Sequence, residues 1–435
     1  EDSYLGSLIA AAMVEGYQGE SPESLASDST ILACIKHFAA YGAPQAGRDY
    51  QTVDITDRTL REVYLPPYQA GIDAGVGSVM SAFNDIDAVP ATASHYLMTD
   101  ILRKEWGFNG FVVTDFTAIN ELVPHGVAAD SMEAGALALN AGINMDLQGD
   151  IYHRFLKQLV EQKKVSLRQV DRMCAGVLRV KCALGLFDDP YRYLDTTAAA
   201  REFYKPENLA AARDMARKSI VLLKNDNRTL PITTGRKIAL IGPFANSRID
   251  LLGSWYGQGD TSHVVSILQG MQERFGHDKI IFTQGSPYEQ ENRIGFHSAL
   301  QAARNSDVAV VAVGLPGSWS GEATSMTTIS LPKIQQELIA AIRTTGKPLV
   351  LLLLNGRPLD LSWESSVADA IVEAWYPGTE GGHAVADILS GDFNPCGKLT
   401  MTFPRSLGQV PIHYDMKNTG RPFTPNVGEQ HYVSR

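Results

Sequence analysis

Gly110-Phe111-Val112-Val113-Thr114-Asp115-Phe116 is the stretch on which the reading of this chain turns. A strand buried in a parallel sheet is a near-continuous run of β-branched and aromatic residues. Phe111-Val112-Val113 has that composition and delivers one carboxylate, Asp115, at its C-terminal end. In a (β/α)8 barrel the chemistry is carried at the C-terminal ends of the strands. An acid there suits a nucleophile, a base or a metal ligand. The competing use of Asp is to cap a helix N-terminus, and spacing alone leaves both open.

Outward from this strand the same alternation recurs. Strand-like runs lie at 31–38, 78–83, 111–115 and 143–147, and helical runs at 4–19, 58–74, 92–106 and 127–141. Ser166-Leu167-Arg168-Gln169 forms a capping-box pattern for a helix that reaches Leu184, with Gly185 past its end. Strands alternating with helices predict a parallel sheet. About four strands fit here, whereas a closed barrel has eight. Residues 1–185 therefore read as the C-terminal half of a (β/α)8-type barrel, with Glu1-Asp2-Ser3-Tyr4 entering a helix as if in mid-domain.

Residues 186–206, with Asp188-Asp189-Pro190 and Pro206, read as a linker. A second α/β series occupies 207–415, with strands expected at 238–241, 279–283, 308–313, 349–354, 370–374 and 399–403. Helical patterns at 291–305, 333–345 and 381–389 separate several of them. This predicts an α/β sandwich domain with a largely parallel sheet covered on both faces. Residues 416–435 read as a loop leading toward a missing C-terminal domain.

Composition removes several classes of function. A chain of 435 residues is too long for one ordinary core, and 44% hydrophobic with 20% charged residues describes a globular protein. A formal net charge of −10 argues against a nucleic-acid partner. No apolar run approaches the roughly 20 residues needed to span a bilayer. Cys174 and Cys182 stand eight apart on a predicted helix, a rise of about 12 Å, which is beyond disulfide reach. With Cys34 and Cys396 they are read as free thiols, and no C-x-x-C or His/Cys cluster suggests a metal. Gly314, Gly317 and Gly321 lack the G-x-G-x-x-G spacing, so a dinucleotide site has no support and no cofactor is expected.

The remaining polar residues at strand ends and on loops carry the chemistry. Lys36-His37 closes the first clear strand, and two adjacent donors suit the hydroxyls of a polar substrate. The structural alternative is a snorkelling lysine beside a satisfied core histidine. Asp146 ends the run at 143–147 and competes with Asp115 as the reactive carboxylate. In the second domain, Gly317-Ser318-Trp319-Ser320-Gly321-Glu322-Ala323-Thr324-Ser325-Met326 reads as a mobile loop with one acid, Glu322, and an exposed tryptophan. Glycoside hydrolysis needs two carboxyl groups, and pairing Asp115 with Glu322 would put the site in a cleft between domains.

Taken in order, the motifs resemble family-three glycoside hydrolases, in the branch of bacterial β-glucosidases that has a barrel followed by an α/β sandwich. They are Lys36-His37-Phe38-Ala39-Ala40-Tyr41-Gly42, Gly47-Arg48-Asp49-Tyr50, Met80-Ser81-Ala82-Phe83-Asn84, Trp106-Gly107-Phe108 and Val113-Thr114-Asp115. Leu222-Leu223-Lys224-Asn225, Asn355-Gly356-Arg357-Pro358, Gly378-Thr379-Glu380-Gly381-Gly382 and Gly397-Lys398-Leu399 continue the series.

The resemblance implies that Asp115 is the nucleophile, that Glu322 is the general acid/base, and that Lys36 and His37 bind sugar hydroxyls in the −1 subsite. It places Phe116, often Trp in relatives, in the same pocket, and Phe83 where some relatives have a Tyr touching the nucleophile. Trp255 is its candidate for stacking on the leaving group. Met326 stands where relatives usually carry Arg. Ala39-Ala40-Tyr41-Gly42 replaces the Pro-Gly-His-Gly of the hexosaminidase branch, which argues against N-acetylglucosaminidase activity. The implied function is a retaining exo-acting β-glucosidase releasing terminal β-D-glucose by double displacement. A β-xylosidase of the same family and a catalytically incomplete sugar-binding fragment are the alternatives. The implied partner is a small carbohydrate, with no metal, nucleic acid or membrane. A second chain supplying the missing barrel strands and a homodimer are the protein partners this reading allows. The resemblance implies a periplasmic or secreted location in a bacterium, the signal region being absent from this chain.

Overall fold

Phe111–Val113 does form a parallel strand, and the first half of the chain is laid out around it. The computed structural model describes residues 2–420 and divides into two units, Glu1–Thr196 and Thr197–Arg435. The end of the expected C-terminal loop, 421–435, lies outside the described residues.

In the first unit β1 (Cys34–Phe38), β2 (Ser78–Ser81) and β5 (Phe111–Val113) make a parallel sheet in the order β1-β2-β5. A two-residue hairpin, β3 (Asp85–Ile86) with β4 (Val89–Pro90), follows β2. The fourth expected strand, 143–147, is reduced to a single parallel bridge between Met145 and Val113. Asn144 and Met145 both donate backbone N–H to Val112 O, which continues the sheet locally. Phe38, Val79, Met98, Ile101, Leu102, Val112 and Ile143 are fully shielded and form one core. The helix Leu167–Ala183 begins at the expected capping box, Ser166 and Gln169 each satisfying the other's backbone N–H. Parallel strands require crossovers, and here they are the helical segments between the strands.

The second unit holds a six-stranded sheet in the order β6-β11-β10-β9-β7-β8. These are β6 (Val221–Asn225), β7 (Ile238–Ile241), β8 (Ile280–Thr283), β9 (Val308–Gly314), β10 (Leu349–Leu354) and β11 (Ala370–Glu373). All neighbours are parallel except β6, which runs antiparallel to β11. Alternate residues feed two separate cores. Ile238, Leu240, Val308 and Val310 point to one face, and Ala239, Ile241, Ala309 and Val311 to the other. Both faces are covered, as near-continuous apolar strands require.

One expected strand is corrected. Residues 399–403 form no strand, and Leu399 and Met401 stay largely exposed. Just before this segment, Gly397 meets the residue that precedes β6, where a Cβ on Gly397 would lie 2.5 Å from the Ile220 carbonyl oxygen. The sixth strand is β6, whose Lys224 ammonium donates to the carbonyls of Ser365 (2.6 Å) and Ala368 (2.7 Å).

Candidate active site

Two strand ends bring His37 and Asp115 together at the C-terminal edge of the first sheet. β1 and β5 are separated by β2, so the imidazole reaches across one strand to place Nε2 3.2 Å from Asp115 Oδ2. The other carboxylate oxygen, Oδ1, accepts the Phe116 N–H at 2.7 Å. Both oxygens are therefore oriented before any ligand arrives, and the imidazole proton sits on Nε2 when His37 is the neutral donor. His37 is itself fixed from behind, its carbonyl accepting the Tyr68 hydroxyl at 2.5 Å. Thr114 locks the strand end, its N–H donating to Met145 O (3.0 Å) and its hydroxyl accepting from Leu147 N–H (2.9 Å). Lys36, the preceding residue of β1, is exposed.

The two competing aspartates now separate. Asp146 Oδ2 accepts backbone N–H bonds from Ile151 (2.7 Å) and Tyr152 (3.4 Å), at the N-terminus of the helix Ile151–Glu161. A carboxylate there satisfies donors that have no partner inside the helix and meets the positive end of its dipole. Asp146 thus performs the capping role that was open for Asp115. Asp115 heads a turn and its carboxylate engages only its neighbour's N–H and the imidazole among the bonds described.

Aromatic rings continue from this pair. Tyr41 meets His37 edge-on with ring centres 5.4 Å apart, and Phe83 lies 6.2 Å from Tyr41 and 5.3 Å from Tyr50. Phe83 is 8% exposed, so it supports the neighbouring rings more than it offers a face of its own. Phe116 is 58% exposed and does offer one. Tyr41, Tyr50 and Tyr68 were not singled out as site residues from sequence. The first two stand in the quoted motifs, whereas nothing near Tyr68 marks it.

In the second unit Glu322 and Trp255 line one concavity of about 470 Å³, together with Asp250, Tyr256, Ser320 and Thr324. The backbone turns through positive φ on both sides of the acid, at Gly321 (120°) and Ala323 (58°), and Glu322 projects to solvent. Trp255 is 76% exposed, and a Cβ on Gly321 would sit 3.3 Å from its indole nitrogen. Small residues at 321 and 254 thus let the loop and the indole approach.

The loop that carries Glu322 is tied, not free-running. Asp250, buried, accepts the Gly317 N–H (3.1 Å) through one oxygen and the hydroxyls of Ser247 and Tyr288 (2.6 Å each) through the other. Burial and then Asp250 push the Tyr288 phenol up to about 12. Tyr376 bridges Ser320 Oγ (3.2 Å) and the carbonyls of Leu315 and Pro316 (3.0 and 3.2 Å). The Arg357 guanidinium donates to the carbonyls of Trp319 and Thr324. Trp319, expected to be exposed, instead packs with Met326 against the apolar cluster of Leu315, Leu331 and Leu359. The neighbouring glycines and serines disguised an indole that serves as an anchor. Met326, in the place where relatives usually carry Arg, contributes packing.

Among the described residues no group of three or more His, Cys, Asp and Glu could hold a metal ion, and the four cysteines are unpaired. No helix among them is long and apolar enough to cross a membrane. The fold and these residues define an α/β protein with one oriented carboxylate at the strand ends of a half-barrel and one on a tied loop of a sandwich. Residues 1–180 match the glycosyl hydrolase family 3 N-terminal domain, and residues 220–434 match the family 3 C-terminal domain. The chain belongs to glycosyl hydrolase family 3.

A periplasmic β-glucosidase of Salmonella typhimurium is 43% identical over all of this chain and 60% of its own length. A β-xylosidase of Formosa agariphila is 38% identical over 95% of the chain and 59% of its own. The crystal structure of a Listeria innocua β-glucosidase in complex with isofagomine superposes with a TM-score of 0.95 at 40% identity, covering all of this chain and 60% of that one. The chain spans about 60% of the length of these relatives.

Proposed function

We propose that the chain carries the catalytic carboxylates of a retaining, exo-acting β-glucosidase that releases terminal β-D-glucose from β-glucosides and short oligosaccharides. The observation that carries this reading is the His37–Asp115 contact at a parallel strand end in a family 3 chain. Asp115 is the nucleophile. One of its oxygens attacks the anomeric carbon as the glycosidic C–O bond breaks, and Glu322 gives its proton to the departing oxygen. Glu322 then takes a proton from water, which displaces Asp115 and restores both groups.

Lys36 and His37 bind hydroxyls of the sugar, and Phe116 and Phe83 bound the pocket. His37 has a second task, since its hydrogen bond steadies the oxygen of Asp115. The exposed indole of Trp255, in the same concavity as Glu322, stacks on the leaving group. A xylosidase reading is supported by the 38% identity to a named β-xylosidase, and comparison of glucoside and xyloside turnover separates the two. A periplasmic location is supported by the name of the Salmonella relative. Barrel completion by a second chain, or a homodimer, is read from intact native mass.

The test is turnover of 4-nitrophenyl β-glucoside with the product anomer followed by NMR. The proposal expects β-glucose as the first product. First-formed α-glucose, or binding of glucoside without turnover, contradicts it.

A further inference from the structure

We propose that Arg357 is a positioning residue for Glu322, held in place by the wholly buried pair Asn355 and Glu373. The proposal rests on the assignment of Glu322 as acid/base.

Glu322 lies between two carbonyls, those of Trp319 and Thr324, and both accept from one terminal nitrogen of Arg357. A single planar guanidinium therefore closes the segment 319–324 into a loop of fixed span. Such a fork is pre-organised, whereas an ammonium on a flexible stem is not. No salt bridge to Arg357 occurs among the described residues, its Nε is buried without a partner, and burial lowers its pKa. A half-buried cation whose described bonds go to neutral carbonyls is an expensive way to gain stability. What it secures is the path of the backbone on either side of the acid.

The residues behind Arg357 explain how it is aimed. Asn355 follows the last residue of β10, and its Nδ2 donates to Arg357 O (2.8 Å) and Glu373 Oε2 (3.1 Å). Glu373 ends β11, and its other oxygen accepts the Trp375 N–H at 2.8 Å. Both side chains are 0% exposed, so Glu373 cannot touch substrate. Gly356 presses the same turn onto the loop, because a Cβ there would lie 2.7 Å from Ser320 Oγ and 2.8 Å from the Tyr376 ring. Two adjacent strand ends of a rigid sheet thus set one turn, and the turn sets Arg357.

The test compares kcat/KM for methyl β-glucoside, which needs a proton donor, with that for 2,4-dinitrophenyl β-glucoside, which does not. The variants are Glu322→Ala, Arg357→Met and Arg357→Lys. A displaced acid loses about 100-fold, so Arg357→Met is expected to lose at least about tenfold more on the methyl glucoside than on the dinitrophenyl glucoside. Arg357→Lys is expected to show the same selectivity, and it carries the test if Arg357→Met does not fold. Azide is expected to raise turnover of the dinitrophenyl substrate in Arg357→Met as it does in Glu322→Ala. Equal losses on both substrates, or none on either, overturn the positioning role when Glu322→Ala itself shows the leaving-group dependence. If Glu322→Ala shows no such dependence, the acid/base assignment fails and this proposal fails with it.

Discussion

Asp115 and Glu322 are held by opposite means. Asp115 stands two residues past the end of β5, so strand register places it, and two hydrogen bonds finish the alignment. Glu322 stands on a loop well beyond the end of β9, and register has no say there. Its position depends on Asp250, Tyr376 and Arg357, side chains remote in sequence that grip the loop's backbone. A nucleophile must meet one carbon, and a rigid sheet edge suits it. The proposed acid/base, which would serve two steps, one on the leaving group and one on water, sits on a loop whose path is set by its ties rather than by strand register.

The comparison breaks first at Asp115. Asp115→Ala is expected to remove aryl β-glucoside turnover by on the order of 10⁴-fold or more, without loss of folding. Steady-state kinetics on a protein with an unchanged Tm checks this, and near-normal activity would contradict the assignment. Next comes Glu322→Ala, expected to lose about 10²- to 10³-fold on alkyl glucosides and far less on dinitrophenyl glucoside, with azide restoring turnover as glucosyl azide. Uniform loss across leaving groups would remove the acid/base role.

A smaller effect sharpens the contrast from the second unit. Burial pushes Glu373 up to about 8, against the hydrogen bonds from Trp375 N–H and Asn355 that favour its anion. An unfolded Glu ionises near 4.5, so between 4.5 and about 8 the unfolded chain binds fewer protons than the folded one. The contribution of this one group to stability is therefore full below 4.5 and is lost as pH rises through that window, on the order of 5 kcal/mol at most. Glu373→Gln is expected to flatten this slope, seen as a Tm gap between pH 5 and pH 8 that narrows. A gap equal to that of the parent protein would contradict it. The smallest effect belongs to Asp146→Ala, a lost cap worth about 1 kcal/mol with kcat/KM changed less than about twofold. A large loss of activity with normal stability would return Asp146 to the list of reactive carboxylates.

The same contrast explains what could be read from the sequence. Phe111-Val112-Val113 and the strands of the second sheet are apolar runs whose burial on both faces leaves no polar alternation, so they announced themselves. Asp115 was legible because it ends such a run. β6 was not, because an antiparallel edge strand with half-buried residues looks like the tail of the preceding helix. Residues 399–403 misled in the other direction, being alternately apolar yet exposed. Gly378-Thr379-Glu380-Gly381-Gly382 was legible only as a family mark. In the structure it is a packing device, with Gly382 O 2.2 Å from where a Cβ on Gly270 would sit, and Glu380 2.5 Å from His383. Arg357 and Asp250 act on a loop far from them in the chain, and no local pattern encodes a tie to a carbonyl.

The central claim, that Asp115 and not another carboxylate forms the covalent intermediate, is tested most directly by trapping. Incubation with 2-deoxy-2-fluoro-β-D-glucosyl fluoride, proteolysis and peptide mass mapping should place one fluoroglucosyl group on Asp115. An adduct on Asp146 or any other residue, or no adduct in protein that turns over aryl β-glucosides, would contradict the account.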